Sequence, residues 1–347
     1  MIPAEATATV LRDRGHHVTL VTDPRGDAYP DIMQGFDRHV LKTSGIGGGL
    51  LGKVKGGLSL MRETMACRRY LTAIQADLVI GFGGYPSMPA LTAAKFLKIP
   101  FVLHEQNTVL GRVNRLMAPH AVALALAYEE TKRVPDGVEY FVTGNPVRAT
   151  VLQQAGQTYQ APASDGTIKV MIIGGSQGAR ILSNTVPMAL TDLDAPLRDR
   201  LHVTHQARPE DKEAVSLAYK NAGINAEVES YFLDIPERLA DCHLVISRAG
   251  ASTLAEITTI GVPSLLVPLK IAMDDHQLTN ANILKAAGAA QIMTEDDFTP
   301  TSLKDCLTDL LGTSGKLLGM AQAAKQMTMA KSAEKVADMI EQVSKRS

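Results

Sequence analysis

Residues 168–180, IKVMIIGGSQGAR, run an apolar stretch straight into Gly174-Gly175-Ser176-Gln177-Gly178. Residues 242–256, CHLVISRAGASTLAE, repeat the design: an apolar run, a small-residue turn, then helix-forming residues. A strand that ends in Gly and Ser before a helix leaves several backbone N–H groups without partners. Those donors, with the positive end of the helix dipole, make an anion site. Two such turns in one half of the chain point to a phosphorylated ligand, and they restrict the fold to strands that alternate with helices.

The rest of the sequence keeps that alternation. Strands are predicted at Val18–Thr22, Leu78–Gly81, Phe101–Leu103, Tyr140–Thr143, Val170–Ile173, Val203–His205, Leu244–Ser247 and Ser264–Val267. Helices are predicted between them, among them Met88–Leu97, Arg180–Leu190, Pro209–Ala222 and Asp274–Ala287. Such an order implies an α/β protein with parallel sheets built from right-handed crossovers. Arg148 to Gly166 is polar and carries Gly and Pro, so it reads as a linker. Two domains result, at 1–147 and 148–330. The apolar spacing of Val336, Met339, Ile340 and Val343 makes 331–347 a helix expected to pack back on the first domain. Pro3 to Arg14 reads as a first helix stopped by Gly15, with no strand ahead of it.

Composition removes several function classes. A chain of 347 residues with 45% apolar and 20% charged residues is globular and long enough for two cores. A net charge of −1 gives no global field toward nucleic acid. Cys67, Cys242 and Cys306 lack metal-site spacing and read as free thiols. No apolar stretch has transmembrane length and no signal peptide is visible, so a soluble cytosolic chain is expected.

The string Gly174-x-Ser176-x-Gly178 also fits the nucleophile elbow of α/β hydrolases. His205, His243 and His276 are candidate partners, but no HGGG-like oxyanion segment accompanies them. The dinucleotide fingerprint and a Walker A sequence are both absent. Asp192-Leu193-Asp194 matches the short D-x-D metal string of some sugar transferases, but it follows a helix and reads as a solvated loop. No metal and no cofactor are expected.

Six segments in order carry a resemblance: Gly83-Gly84-Tyr85, His104-Glu105-Gln106-Asn107, Gly144-Asn145-Pro146-Val147-Arg148, Gly174–Arg180, Arg248–Glu256 and Asp274–Ala281. Together they resemble the MurG family of peptidoglycan N-acetylglucosaminyltransferases over nearly the whole chain. The resemblance implies a GT-B fold, two Rossmann-like domains with parallel sheets facing across a cleft. It also implies inverting transfer of N-acetylglucosamine from its UDP conjugate to the C4 hydroxyl of the muramyl sugar of lipid I, forming lipid II.

Beside that resemblance, residue chemistry suggests roles. Ser176, Gln177 and the N–H groups through Gly178 suit the donor diphosphate, and Arg148 adds a fixed positive charge or is a plain surface arginine. Glu256 suits the ribose hydroxyls; its alternative is a glutamate that only favours the helix dipole. Gln277 and Asn280 lie three apart on one helix face, as neutral amides for sugar hydroxyls. The family match places Ala251, Ser252, Thr253 and Leu254 with the donor, and Phe232 where uracil is held; a core aromatic is the alternative for Phe232. Asn107 follows a strand end, where α/β proteins bind ligands. His104 and Glu105 are titratable neighbours or structural groups.

The segment Arg38 to Tyr70 carries seven basic residues and one acidic residue. Gly47–Gly52 with Lys53, Lys55, Arg62, Arg68 and Arg69, beside Leu58, Met61 and Met65, suits an anionic membrane surface at its cytoplasmic face. The alternative is an amphipathic core helix with a solvated basic side. One departure stands out. The family begins with a strand and a G-G-T-G-G-H loop, whereas Met1-Ile2-Pro3-Ala4-Glu5 takes up the pattern just after that histidine. The family's proposed general base has no counterpart, so the catalytic residue is unassigned and impaired transfer is expected. A sugar-nucleotide-binding protein without turnover and a serine hydrolase using Ser176 are the alternatives.

Overall fold

The structure, a computed structural model, describes residues 1–27, 33–42, 50–175, 179–270, 275–313, 315–329 and 331–345. The chain divides into two compact units, Met1–Arg148 with Met329–Ser347, and Ala149–Thr328.

In the first unit, β1 (Thr19–Thr22) pairs in parallel with β2 (Asp37–Val40). A separate parallel sheet runs in the order β3 (Val79–Gly81), β4 (Phe101–Glu105), β5 (Ala123–Leu126) and β6 (Tyr140–Val142). Every residue of β4 and β5 is buried, as expected of parallel strands covered on both faces. Successive side chains point to opposite faces. Val102, Ala123 and Ala125 therefore meet Leu11 and the C-terminal helix Ser332–Ser344 through Val336, Met339 and Val343. Phe101, Leu103 and Leu124 meet Leu91, Ala94, Cys67 and Leu71 on the other side. Arg14 clips the first helix to the last through Asp338 at 2.8 Å and Glu341 at 3.1 Å.

The second unit holds one six-stranded parallel sheet. Its strands are β7 (Ile168–Ile173), β8 (Leu201–Gln206), β9 (Asn225–Glu229), β10 (Leu244–Ser247), β11 (Ser264–Leu266) and β12 (Ala290–Ile292). Their order is β12-β11-β10-β7-β8-β9. The first connections run one way from central β7 and the later ones return to its other side, which is doubly wound topology with its switch point between β7 and β10. Ile168, Val170 and Ile172 of β7 anchor the core against Leu182, Val186 and Tyr219.

Four strands escaped the sequence reading. Asn225–Glu229 is an edge strand with only Val228 buried, so it carries no apolar run. Asp37–Val40 has no fully buried residue, and Ala290–Ile292 is three residues long. Ala123–Leu126 consists of alanine and leucine, strong helix formers that tertiary burial holds in a strand. The linker reading of Arg148 to Gly166 needs correction at its start: Ala149–Gln154 is helical because fully buried Val151 anchors it in the second unit.

Candidate functional site

Both glycine turns of the second unit lie at the carboxyl ends of β7 and β10, the two strands that flank the switch point. After Ile173 the chain enters Gly174 and Gly175, the latter with φ +83°, a conformation glycine adopts without strain. Ser176, Gln177 and Gly178 lie outside the described residues. The chain returns at Ala179, extended, and starts the helix Arg180–Thr191.

After β10, Gly250 caps the helix Ala251–Ile260. The preceding Arg248 donates to the Val267 carbonyl at 3.0 Å and pairs with Glu295 at 2.6 Å. Ala251, Ser252 and Thr253 are half-buried in the first turn, while Leu254 and Glu256 are buried. Next to this turn comes the helix His276–Ala286. Gln277 is half-buried and its amide oxygen accepts the Leu269 N–H at 3.0 Å, which leaves the amide NH2 as the donor end. Asn280 is the other amide that the sequence reading offered to sugar hydroxyls. It is fully buried, and its NH2 points to the Ala249 carbonyl at 3.5 Å. It ties this helix to the β10 turn.

Phe232 is buried, with the Arg238 guanidinium 4.4 Å above its ring. Glu227 and Asp234 hold that guanidinium and raise its pKa, Glu227 most strongly. Burial of this ring agrees with either reading, a core aromatic or a neighbour of uracil. Its neighbours Tyr231 and Leu233 are exposed, and no apolar period in the sequence marked them.

In the first unit, β3 leads into Gly83 and Gly84, at φ +75° and +72°, and then into the helix Met88–Leu97. A side chain on Gly83 would press on Asn114, 3.3 Å from the added carbon. β4 ends in the His104–Asn107 segment, and here the structural alternatives prevail. Glu105 is buried with four donors on its carboxylate: Asn107 N at 3.1 Å and Nδ2 at 2.9 Å on one oxygen, Gly111 N at 2.8 Å and Asn114 Nδ2 at 2.9 Å on the other. His104 is fully enclosed. Its Nε2–H donates to the Gly144 carbonyl at 3.1 Å, and Nδ1 accepts from Gln106 at 2.8 Å. Burial lowers its pKa to about 4, against a smaller opposing effect of the Gly144 bond. Asn107 is half-buried in the loop that Glu105 organises, and Arg148 is half-buried after the buried stretch Gly144–Val147.

Two of the three histidines that the hydrolase reading offered are engaged elsewhere. His205 is fully buried with Nδ1 on the Tyr219 hydroxyl at 2.9 Å, and the Nδ1 of His243 accepts the Lys169 N–H at 3.0 Å. Asp192 pairs with Lys304 at 3.0 Å while Leu193 is buried between the two aspartates. Among the described residues no cluster of His, Cys, Asp and Glu could hold a metal ion.

The basic segment enters β2 at Arg38–Val40 and, from Leu50 on, lies in the helix Leu50–Ala73. Cys67 and Leu71 enter the core, whereas Leu58, Met61 and Met65 are 62%, 66% and 45% exposed. The apolar face expected for a membrane is thus outside the core. Residues 43–49, with the first glycines of that segment, lie outside the described residues, as does Asp274. No described helix is long and apolar enough to cross a membrane.

Two Rossmann-like units with parallel sheets, one bearing paired glycine turns at its switch point, define a GT-B glycosyltransferase. The chain belongs to glycosyltransferase family 28: the family's N-terminal domain matches residues 1–126 and its C-terminal domain residues 169–342. It is 43% identical, over 98% of its length and 90% of the relative's, to the UDP-N-acetylglucosamine–N-acetylmuramyl-(pentapeptide) pyrophosphoryl-undecaprenol N-acetylglucosamine transferase of Rhodospirillum centenum. The protein of that name from Paramagnetospirillum magneticum is also 43% identical, with 98% and 92% covered. Among solved structures, Acinetobacter baumannii MurG superposes with a TM-score of 0.78 at 30% identity, covering 98% of this chain and 95% of that one.

Proposed function

We propose that this chain transfers N-acetylglucosamine from UDP-N-acetylglucosamine to the C4 hydroxyl of the muramyl sugar of lipid I, with inversion, forming lipid II. The observation that carries the reading is the 43% identity across 98% of the chain to relatives named for that transfer. The acceptor oxygen attacks the anomeric carbon as the bond to the diphosphate breaks. UDP leaves with the bonding electrons, and the hydroxyl proton passes to a general base. Charge grows on the departing diphosphate, and backbone N–H donors from Gly174 to Gly178 stabilise it. The first-turn residues Ala251–Leu254 and the buried carboxylate of Glu256 hold the nucleoside, with Phe232 near uracil. Gln277 offers its NH2 to the sugar, and Asn280 fixes the turn behind it. The Asn107 loop and the Gly83–Tyr85 turn belong to the acceptor unit. The exposed apolar face of the basic helix meets the anionic cytoplasmic surface that carries a polyprenyl acceptor.

The test is incubation of the purified chain with radiolabelled UDP-N-acetylglucosamine and a lipid I analogue. Label in the β-linked disaccharide product supports the reading. UDP-N-acetylglucosamine bound but never transferred would favour a binding protein instead.

A further inference from the structure

The connection from β9 to β10 runs from one edge of the second sheet back across its switch point. It leaves the carboxyl end of β9 as residues 230–234, at the end of the sheet that also carries both glycine turns, and continues as the helix Ile235–Asp241. That helix packs on β7 and on the helix Ala251–Ile260, which carries Glu256. Among the described residues, Tyr231, Phe232 and Leu233 make no backbone–backbone hydrogen bond. Phe232 turns inward at 4% exposure, while Tyr231 and Leu233 stand out at 63% and 83%. The loop thus keeps its N–H and C=O groups free of main-chain partners, with no ladder to fix their direction.

One side chain fixes the loop instead. Nη1 and Nη2 of Arg238 donate to the two carboxylate oxygens of Glu227 in β9 at 2.5 and 3.0 Å, and Nε donates to Asp234 at 2.7 Å. The guanidinium carbon lies 4.4 Å from the centre of the Phe232 ring. Glu227 stands before the loop, Phe232 at its middle and Asp234 at its close, so one planar fork holds all three. Only arginine offers a bidentate fork and a flat stacking face together. We propose that Arg238 is a positioning residue for nucleobase selection, holding residues 230–234 in one conformation so that the loop backbone tells uracil from other bases. It touches no substrate itself. The inference rests on the proposed placement of uracil near Phe232, and it adds the group that makes that placement selective. Uracil presents an N3–H donor beside the O4 acceptor, whereas cytosine presents an N3 acceptor beside an amino donor. A backbone held in register pairs with one pattern and leaves the other unpaired; a loose loop turns to suit either.

Calorimetry of the full chain with UDP and with CDP tests the role. The parent is expected to prefer UDP. Arg238→Ala should cut the ratio of the two affinities about tenfold, the worth of one hydrogen bond lost from register. Arg238→Lys should cut it nearly as far, because an ammonium reproduces neither the fork nor the stack. Glu227 and Asp234 are 46% and 50% exposed, so neither variant strands a buried charge. Glu227→Gln keeps Arg238 and weakens one arm of its grip, and should lower the ratio about threefold; it carries the test if Arg238→Ala fails to fold. A ratio equal to the parent's in the folded variants would overturn the role of Arg238, even at a lowered Tm, and leave the proposed transfer standing. A parent that binds UDP no better than CDP would overturn that role together with the placement of uracil at Phe232.

Discussion

Arg248 and Glu295 form an ion pair at 2.6 Å with their side chains only 13% and 20% exposed, and the same guanidinium donates to Val267. One side chain thus ties together the segments that follow β10, β11 and β12, at the end of the sheet where the donor is proposed to bind. Removing Glu295 leaves a shielded guanidinium without its partner. Glu295→Ala is expected to lower stability by about 1–3 kcal/mol and to weaken UDP binding, with Glu295→Gln in between. Urea unfolding and calorimetry read the two effects; parent values for both would show that the pair does not hold the turn.

Glu256 is buried inside a helix that begins at a glycine turn. A carboxylate there that accepts ribose hydroxyls contributes roughly 1–3 kcal/mol to UDP binding. Glu256→Ala is expected to lose that amount while the far-ultraviolet spectrum stays unchanged. A folded variant with undiminished UDP affinity would remove Glu256 from the site.

Two enclosed histidines make stability depend on pH. Burial lowers His104 to about 4 and His205 to about 3, against an ordinary value of 6.5. Between those values the unfolded chain binds protons that the folded chain refuses, so stability is complete above pH 6.5 and falls as pH drops toward 4. Each histidine contributes up to about 1.4 kcal/mol per pH unit in that window. The variant His205→Gln should flatten part of the slope measured by chemical unfolding between pH 4 and pH 7. A slope identical to that of the parent would contradict the assignment.

Leu58, Met61 and Met65 are exposed on the helix that also carries Lys53, Lys55, Arg68 and Arg69. Each cation near an acidic lipid surface contributes about 1 kcal/mol. Replacing the four cations by Gln should reduce cosedimentation with phosphatidylglycerol vesicles several-fold, and high salt should mimic the change. If the variant sediments as the parent does, this helix is not the membrane contact.

The strand–glycine–helix units could be read from sequence because apolar runs such as 168–173 end abruptly at residues that only a turn needs. β9 could not, since an edge strand buries one residue and leaves no period to find. The orientation of candidate side chains was not legible in the same way. Residue type and position gave Glu256 and Gln277 as candidates, but which way an amide faces depends on tertiary partners. Gln277 spends its oxygen on Leu269 and Asn280 is sealed against Ala249. Glu105 shows the same limit. Its partners at 107, 111 and 114 are sequence neighbours, yet only the folded loop brings four donors onto one carboxylate.

The first unit is discontinuous: it is completed by Met329–Ser347, while Ala149–Thr328 is unbroken. Until the helix Ser332–Ser344 has been translated, Val102, Ala123 and Ala125 lack the apolar cover it supplies. Domains usually fold in the order in which the ribosome delivers them. Here that order is reversed, because the second unit has all its residues before the first does. A nascent chain that still lacks residues 329–345 carries every residue of the carboxyl-terminal unit beside an amino-terminal one open to chaperones.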